Sequence, residues 1–170
     1  MFRMVAALGI MLAAATPAMR LQSGDFPPGG VIPSPSMAAD CGGQNRSPEM
    51  AWADAPKGTE SFALIVHDPH APIPGGFFHW VVYNLPTTIH RLAPNAKLAA
   101  DQLGKTSRGQ AGYYGPCPPP GSTHHYAFTL LALDLAHVPA RTPMTADQLE
   151  AFVKGHVLAT AVLNGTASHH

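Results

Sequence analysis

Tyr113-Tyr-Gly-Pro-Cys-Pro-Pro-Pro-Gly-Ser-Thr-His-His-Tyr126, followed by Ala127-Phe-Thr-Leu-Leu-Ala-Leu-Asp134, divides into two physical regimes. In the first, Pro116, Pro118, Pro119 and Pro120 lack amide donors and fix their own φ, while Gly115 and Gly121 allow tight turns, so the segment must be a stiff loop. From Tyr126 onward an apolar run with aromatic and Thr residues has the pattern of a strand buried on both faces or nearly so. The loop therefore delivers His124, His125 and Tyr126 to the start of a core strand. Polar groups held on stiff backbone beside a packed core suit a binding site that is shaped before its ligand arrives.

Two upstream segments share this grammar. Ser61 to His67 reads as a buried strand running into Asp68-Pro-His-Ala-Pro72, where two prolines stop the ladder and hold Asp68 and His70 at its end. After a Gly75-Gly76 turn, Phe77 to Pro86 reads as another strand with His79 near its start. Polar clusters thus sit at the ends of three strands. Adjacent residues of an extended segment point to opposite faces, so only one of His124 and His125 can enter a shared site.

These residues carry a resemblance. Asp68-Pro-His-Ala-Pro72, His79-Trp-Val-Val-Tyr-Asn84 and Gly115-Pro-Cys-Pro-Pro-Pro-Gly121 with His124-His-Tyr126 are similar, in that order, to motifs of the phosphatidylethanolamine-binding protein family, and most of all to its bacterial Raf-kinase-inhibitor-like branch. The likeness runs from about Asp25 to Thr166 and includes Asn45-Arg-Ser-Pro48 and Trp52. It implies a mainly β protein, an antiparallel β-sandwich with a small anion pocket where the three clusters meet. By the same resemblance Asp68, Pro72, His79, Pro118, His124 and Tyr126 line that pocket, and His70, Cys117 and Pro119 beside them join the candidate ligand-binding residues. One position departs from the family pattern. His70 stands where an Asp is usual, exchanging a negative charge for an imidazole and favouring an anionic ligand, chiefly at acidic pH. Gly75-Gly76-Phe77 also lacks the Trp often found before the pocket His.

Residues 1–18 combine Arg3, an apolar stretch from Val5 to Ala15 and the small-residue exit Thr16-Pro-Ala18. The apolar part is too short for the roughly 20 residues of a membrane-spanning helix. A signal peptide cleaved after Ala18 is expected, with the chain acting in the periplasm or outside the cell and residues 19–170 forming a single domain. In that compartment Cys41 and Cys117 are expected to form a disulfide, the alternative being two separate buried thiols. Losing Arg3 with the leader leaves nine basic against ten acidic side chains, with no Lys/Arg cluster, which disfavours nucleic acid. Eighteen prolines and sixteen glycines against 12% charged residues fit a loop-rich β protein rather than a helix bundle.

Elsewhere Asp25 to Met50 reads as loop, Met50 to Ala53 as a short strand with Trp52 in the core, and Pro86 to Gly112 as a long irregular connection with solvated Lys105 and Arg108. Thr145-Ala-Asp-Gln148 matches a capping box. Leu149, Phe152, Val153, His156 and Val157 follow at helical spacing, so a C-terminal helix ending near Val157 is expected, with His156 in the core and a last strand over Ala159 to Leu163.

The imidazoles, Asp68 and Tyr126 suit reversible binding of a phosphate- or carboxylate-bearing ligand, such as a phospholipid headgroup, without a nucleophile or cofactor. Restraint of a kinase or other protein partner through the same surface is the alternative the resemblance implies. A metal-dependent hydrolase ranks third. Histidines and Asp are zinc ligands by type, yet neither His-x-x-x-His, His-Glu-x-x-His nor Gly-x-Ser-x-Gly occurs. The expected protein is thus a binder, not an enzyme, with no bound metal.

Overall fold

The computed structural model describes residues 17–140 and 143–169, so the expected leader lies, up to Thr16, outside the described residues. Among the described residues seven strands form two antiparallel sheets. In chain order they are β1 (Arg20–Gln22), β2 (Met50–Ala53), β3 (Ser61–Asp68), β4 (Phe77–Pro86), β5 (Arg91–Leu92), β6 (Thr123–Leu133) and β7 (Val157–Ser168), with one α-helix, α1 (Ala146–Val153), before β7. The smaller sheet has the order β1-β2-β5 and the larger β4-β3-β6-β7. The mainly β sandwich is as expected.

Two apolar layers hold it together. Between the sheets lie Trp52, Phe62, Leu64, Val66, Trp80, Val82, Phe128, Leu130 and Leu163, all buried. On the other face of the larger sheet Ala63, Ile65, Val81, Tyr83 and Leu131 meet Leu149 and Val153 of α1. This double burial is why β3 reads as an unbroken apolar run, since its even and odd side chains enter different layers. In β6 only Leu130 to Leu133 are continuously buried. Its first half alternates, with His124 and Tyr126 inward and His125 outward.

The helix starts as its sequence requires. Gln148 N–H donates to Thr145 Oγ1 (3.3 Å) and Thr145 N–H to Gln148 Oε1 (3.0 Å). It ends earlier than expected, at Val153, because Lys154 leaves helical geometry and Gly155 takes φ +90°. The last strand is correspondingly longer than Ala159 to Leu163. His156 therefore belongs to the turn, not the core, and its Nδ1 donates to Asp134 Oδ1 (2.8 Å) near the surface. The short strands β1 and β5 escaped the sequence reading, since three and two residues show no periodicity.

Candidate functional site

Asp68, the last residue of β3, is 3% exposed, and both its carboxylate oxygens are engaged. The His70 amide donates to Oδ1 (2.8 Å), a local Asx-type turn. His124, second in β6, donates through Nδ1 to Oδ2 (2.7 Å). His79, third in β4, donates through Nδ1 to the Tyr114 carbonyl (2.8 Å), whose own amide returns a bond to His79 O (2.9 Å). A third imidazole, His169, donates through Nδ1 to the Pro118 carbonyl (3.0 Å).

These groups border one cavity of about 410 Å³, within the size range of small-molecule sites. Of the candidate residues, Asp68, Pro72, His79, Cys117, Pro118, Pro119 and His124 all line it. Tyr126 does not. It is fully buried one step deeper along β6, its ring set edge-on against His79 (centroids 5.2 Å) and its hydroxyl without a hydrogen-bond partner among the described residues. Burial, with the nearby Asp68 carboxylate adding to it, pushes its phenol pKa up. His70 also stays outside. The Asx turn pins its backbone while its half-exposed ring lies against His125 (5.1 Å), whose amide donates to His70 Nδ1 (3.4 Å).

The wall opposite β3 is held by a Cys41–Cys117 disulfide (Cα–Cα 5.5 Å), joining the 3-10 turn Ala39–Cys41 to the Pro-rich loop. The donor atoms of Asp40, Cys41 and Cys117 lie within 4.8 Å of one another. With the sulfurs bonded, that group offers a metal one carboxylate and no thiolate. At the mouth Arg108, expected to be solvated, lies over the Tyr114 ring (4.4 Å) and 3.4 Å from Asp40 Oδ2, while the Tyr114 hydroxyl donates to both Asp40 oxygens (3.0 Å each). The Tyr114 hydroxyl, with Arg108 assisting, lowers the Asp40 pKa.

The phosphatidylethanolamine-binding protein family model matches residues 22–168. The chain belongs to that family. A UPF0098 protein of Chlamydia pneumoniae is 41% identical over 152 residues, covering 87% of this chain and 97% of the relative. The UPF0098 protein YbhB of Escherichia coli is 36% identical over 158 residues, covering 88% and 100%. Among solved structures, E. coli YbcL, described as a new member of the mammalian PEBP family, superposes with a TM-score of 0.83 at 30% identity, covering 89% of this chain and 99% of that one. Chlamydia trachomatis CT736, described as a PEBP homologue, gives 0.80 at 38% identity, covering 88% and 96%.

In this family member the sequence reading missed Phe77, Tyr114 and His169 as lining residues. Tyr114 was inside the decisive stretch, and its place directly before Gly115-Pro116 was a usable signal. His169 carried none, since only β6–β7 pairing brings the end of the chain to the pocket.

Burial is the main cause of a second property. It lowers the His79 pKa to about 4 from an ordinary 6.5, against the opposing pull of the Tyr114 carbonyl and Asp68. Between those values the unfolded chain binds a proton that the folded site refuses, so stability falls as pH drops. The expected loss from about pH 6.5 to about pH 4 is roughly 3 kcal/mol from this group. Urea denaturation at both pH values should show it, and His79→Gln should remove that share of the slope.

Proposed function

We propose that the cavity is a preformed binding site for a small phosphate- or carboxylate-bearing group, and that the protein binds its ligand without turning it over. The observation that carries this reading is the common anchoring of three lining imidazoles. His79, His124 and His169 each donate through Nδ1 to a protein oxygen, which leaves Nε2 as the remaining nitrogen on each ring. Three rings fixed in one tautomer form a preorganised set of contacts, and each becomes a second donor on protonation. Arg108 adds a fixed positive charge at the mouth. Among the described residues the lining includes no serine, threonine or free thiol that could act as a nucleophile. Export to the periplasm or beyond belongs to the same proposal, supported by the leader pattern and by a disulfide of the kind that persists in oxidising compartments.

The sign of the pH dependence follows from His79. It is neutral in the empty site at either test pH, so an anion that accepts from Nε2–H must bring a proton with it. Calorimetric titration with phosphate, phosphoethanolamine and acetate at about pH 5.5 and about pH 7.5 is expected to show tighter binding at the lower pH. Proton uptake should appear as a dependence of the heat on the buffer's ionisation enthalpy. His79→Ala is expected to abolish binding. Absence of heat with all three ligands at both pH values would end the anion-site reading.

A further inference from the structure

The two bonded cysteines sit within a wider set of metal-ligating groups. The Sγ atoms of Cys41 and Cys117 and a carboxylate oxygen of Asp40 lie within 4.8 Å of one another. An imidazole is beside them, since His169 Nδ1 is 3.8 Å from Cys41 Sγ. Two sulfurs, a carboxylate and an imidazole are the ligand types of tetrahedral zinc sites. While the sulfurs are joined the set is closed to a metal, and cutting that one bond opens it.

The surrounding backbone keeps the set together once the bond is gone. Ala38 N–H donates to Pro116 O (3.0 Å) and Gly115 N–H to Asn45 Oδ1 (2.8 Å), so the chain beside each cysteine is tied without the sulfurs. The Gly121 amide donates to His169 O (2.7 Å), holding that backbone in place when the ring turns from Pro118. Two sulfurs on one tetrahedral zinc, with bonds of about 2.3 Å, are about 3.8 Å apart, against about 2 Å in a disulfide. Rotation of the cysteine side chains covers that difference. Asp40 is already oriented by the Tyr114 hydroxyl, 3.0 Å from each oxygen, the kind of outer hydrogen bond that metal-bound carboxylates carry. Two thiolates and a carboxylate around a divalent ion leave one negative charge, which Arg108, 3.4 Å from Asp40 Oδ2, offsets.

We propose that reduction converts this wall of the cavity into a site for a borderline-soft divalent ion, zinc above all, held by Cys41, Cys117 and Asp40 with His169 as fourth ligand. The reductant is a dithiol, which reaches the sulfurs through the cavity that both cysteines line. Two electrons and two protons pass from it to the disulfide, so that it closes to its own disulfide and the protein gains two thiols. Zinc takes both as thiolates, and their two protons go to solvent. His169 ligates through Nδ1, its proton passing to Nε2 as the bond to Pro118 is given up. Calcium and magnesium, which prefer oxygen ligands, are not expected to compete.

The test uses the full chain, reduced anaerobically with a phosphine that is then removed, in phosphate-free buffer. A single zinc is expected to bind the reduced protein and none the disulfide form. Cobalt in its place should give a thiolate-to-metal charge-transfer band and the strong visible absorption of a tetrahedral ion. Zinc should also raise the thermal midpoint of the reduced protein, which separates a folded site from capture by an unfolded chain. Asp40→Ala should weaken zinc at least roughly tenfold while keeping the cobalt–thiolate band at saturation, and Cys117→Ser should abolish binding. No zinc uptake after reduction, equal uptake by the disulfide form, an unraised midpoint, or wild-type affinity in Asp40→Ala would each overturn the proposal. Should reduction alone unfold the chain, zinc is expected to restore the fold, and failure to do so would overturn it too. None of these readouts depends on an anionic ligand, so they stand apart from the calorimetric test of the pocket.

Discussion

Asp68→Ala is expected to destabilise the protein by roughly 3–5 kcal/mol, the range for removing one partner of a buried, hydrogen-bonded pair. The carboxylate is almost fully buried, and its loss strands two donors, the His124 imidazole and the His70 amide. Neither makes another hydrogen bond among the described residues, so each carries its own desolvation cost. Asp68→Asn separates charge from shape. It keeps one acceptor oxygen for the His70 turn but presents an amide N–H₂ to His124, so an intermediate loss and a displaced imidazole are expected. Chemical denaturation measures the stabilities, and phosphate titration of the folded fraction reads the pocket. A change below about 1 kcal/mol for the alanine variant would mean that the pair is not the anchor of the site.

The second large effect concerns the disulfide. Joining residues 76 apart in sequence constrains the unfolded chain by about 4 kcal/mol in the loop-entropy estimate, an upper figure. Cys41→Ser with Cys117→Ser should lower the unfolding free energy by up to that amount. Ligand affinity should nevertheless change only a few fold, because the same junction is fastened independently. Ala38 N–H donates to Pro116 O (3.0 Å), Asn45 Nδ2 to Tyr113 O (3.0 Å), Gly115 N–H to Asn45 Oδ1 (2.8 Å) and the Tyr113 hydroxyl to Ser36 O (2.8 Å). Gly115 is required for this approach, since a Cβ there would collide with the backbone of Ser36, Met37 and Ala38. If the double variant remained folded yet lost phosphate binding, the bond would be shaping the pocket directly.

The contrast between these two cases shows what the sequence could and could not convey. β3, β4 and β6 were legible because apolar side chains entering two layers produce long uninterrupted runs, and prolines mark where each run stops. Placing polar residues at strand ends did not by itself bring Asp68 to His124; that they share a pocket came from the family resemblance, and the bond between them only from the structure. What parity along a strand cannot supply is depth. His124 and Tyr126 share a face of β6, but the first reaches the cavity and the second lies beneath it. Nor could spacing foretell that the Asp68 turn would fix the His70 backbone while leaving its ring outside. The early helix stop was readable, because Gly155 directly after Lys154 is a usual terminator, whereas the expected end near Val157 followed the apolar stripe alone. Arg108 and His169 reach the cavity only through tertiary packing, for which a single chain of letters carries no local mark.

One contact bears on the order of events during biosynthesis. His169 grips the Pro118 carbonyl, and the Gly121 amide grips His169 in return, so one side of the hollow is fastened by a residue that leaves the ribosome after all seven strands. Synthesis proceeds from the other end, and the earlier strands can pair as soon as they emerge. A nascent chain stalled before β7 would thus hold Asp68, His79 and His124 without the clasp on the proline-rich wall, so the hollow takes its full outline only after β7 has paired.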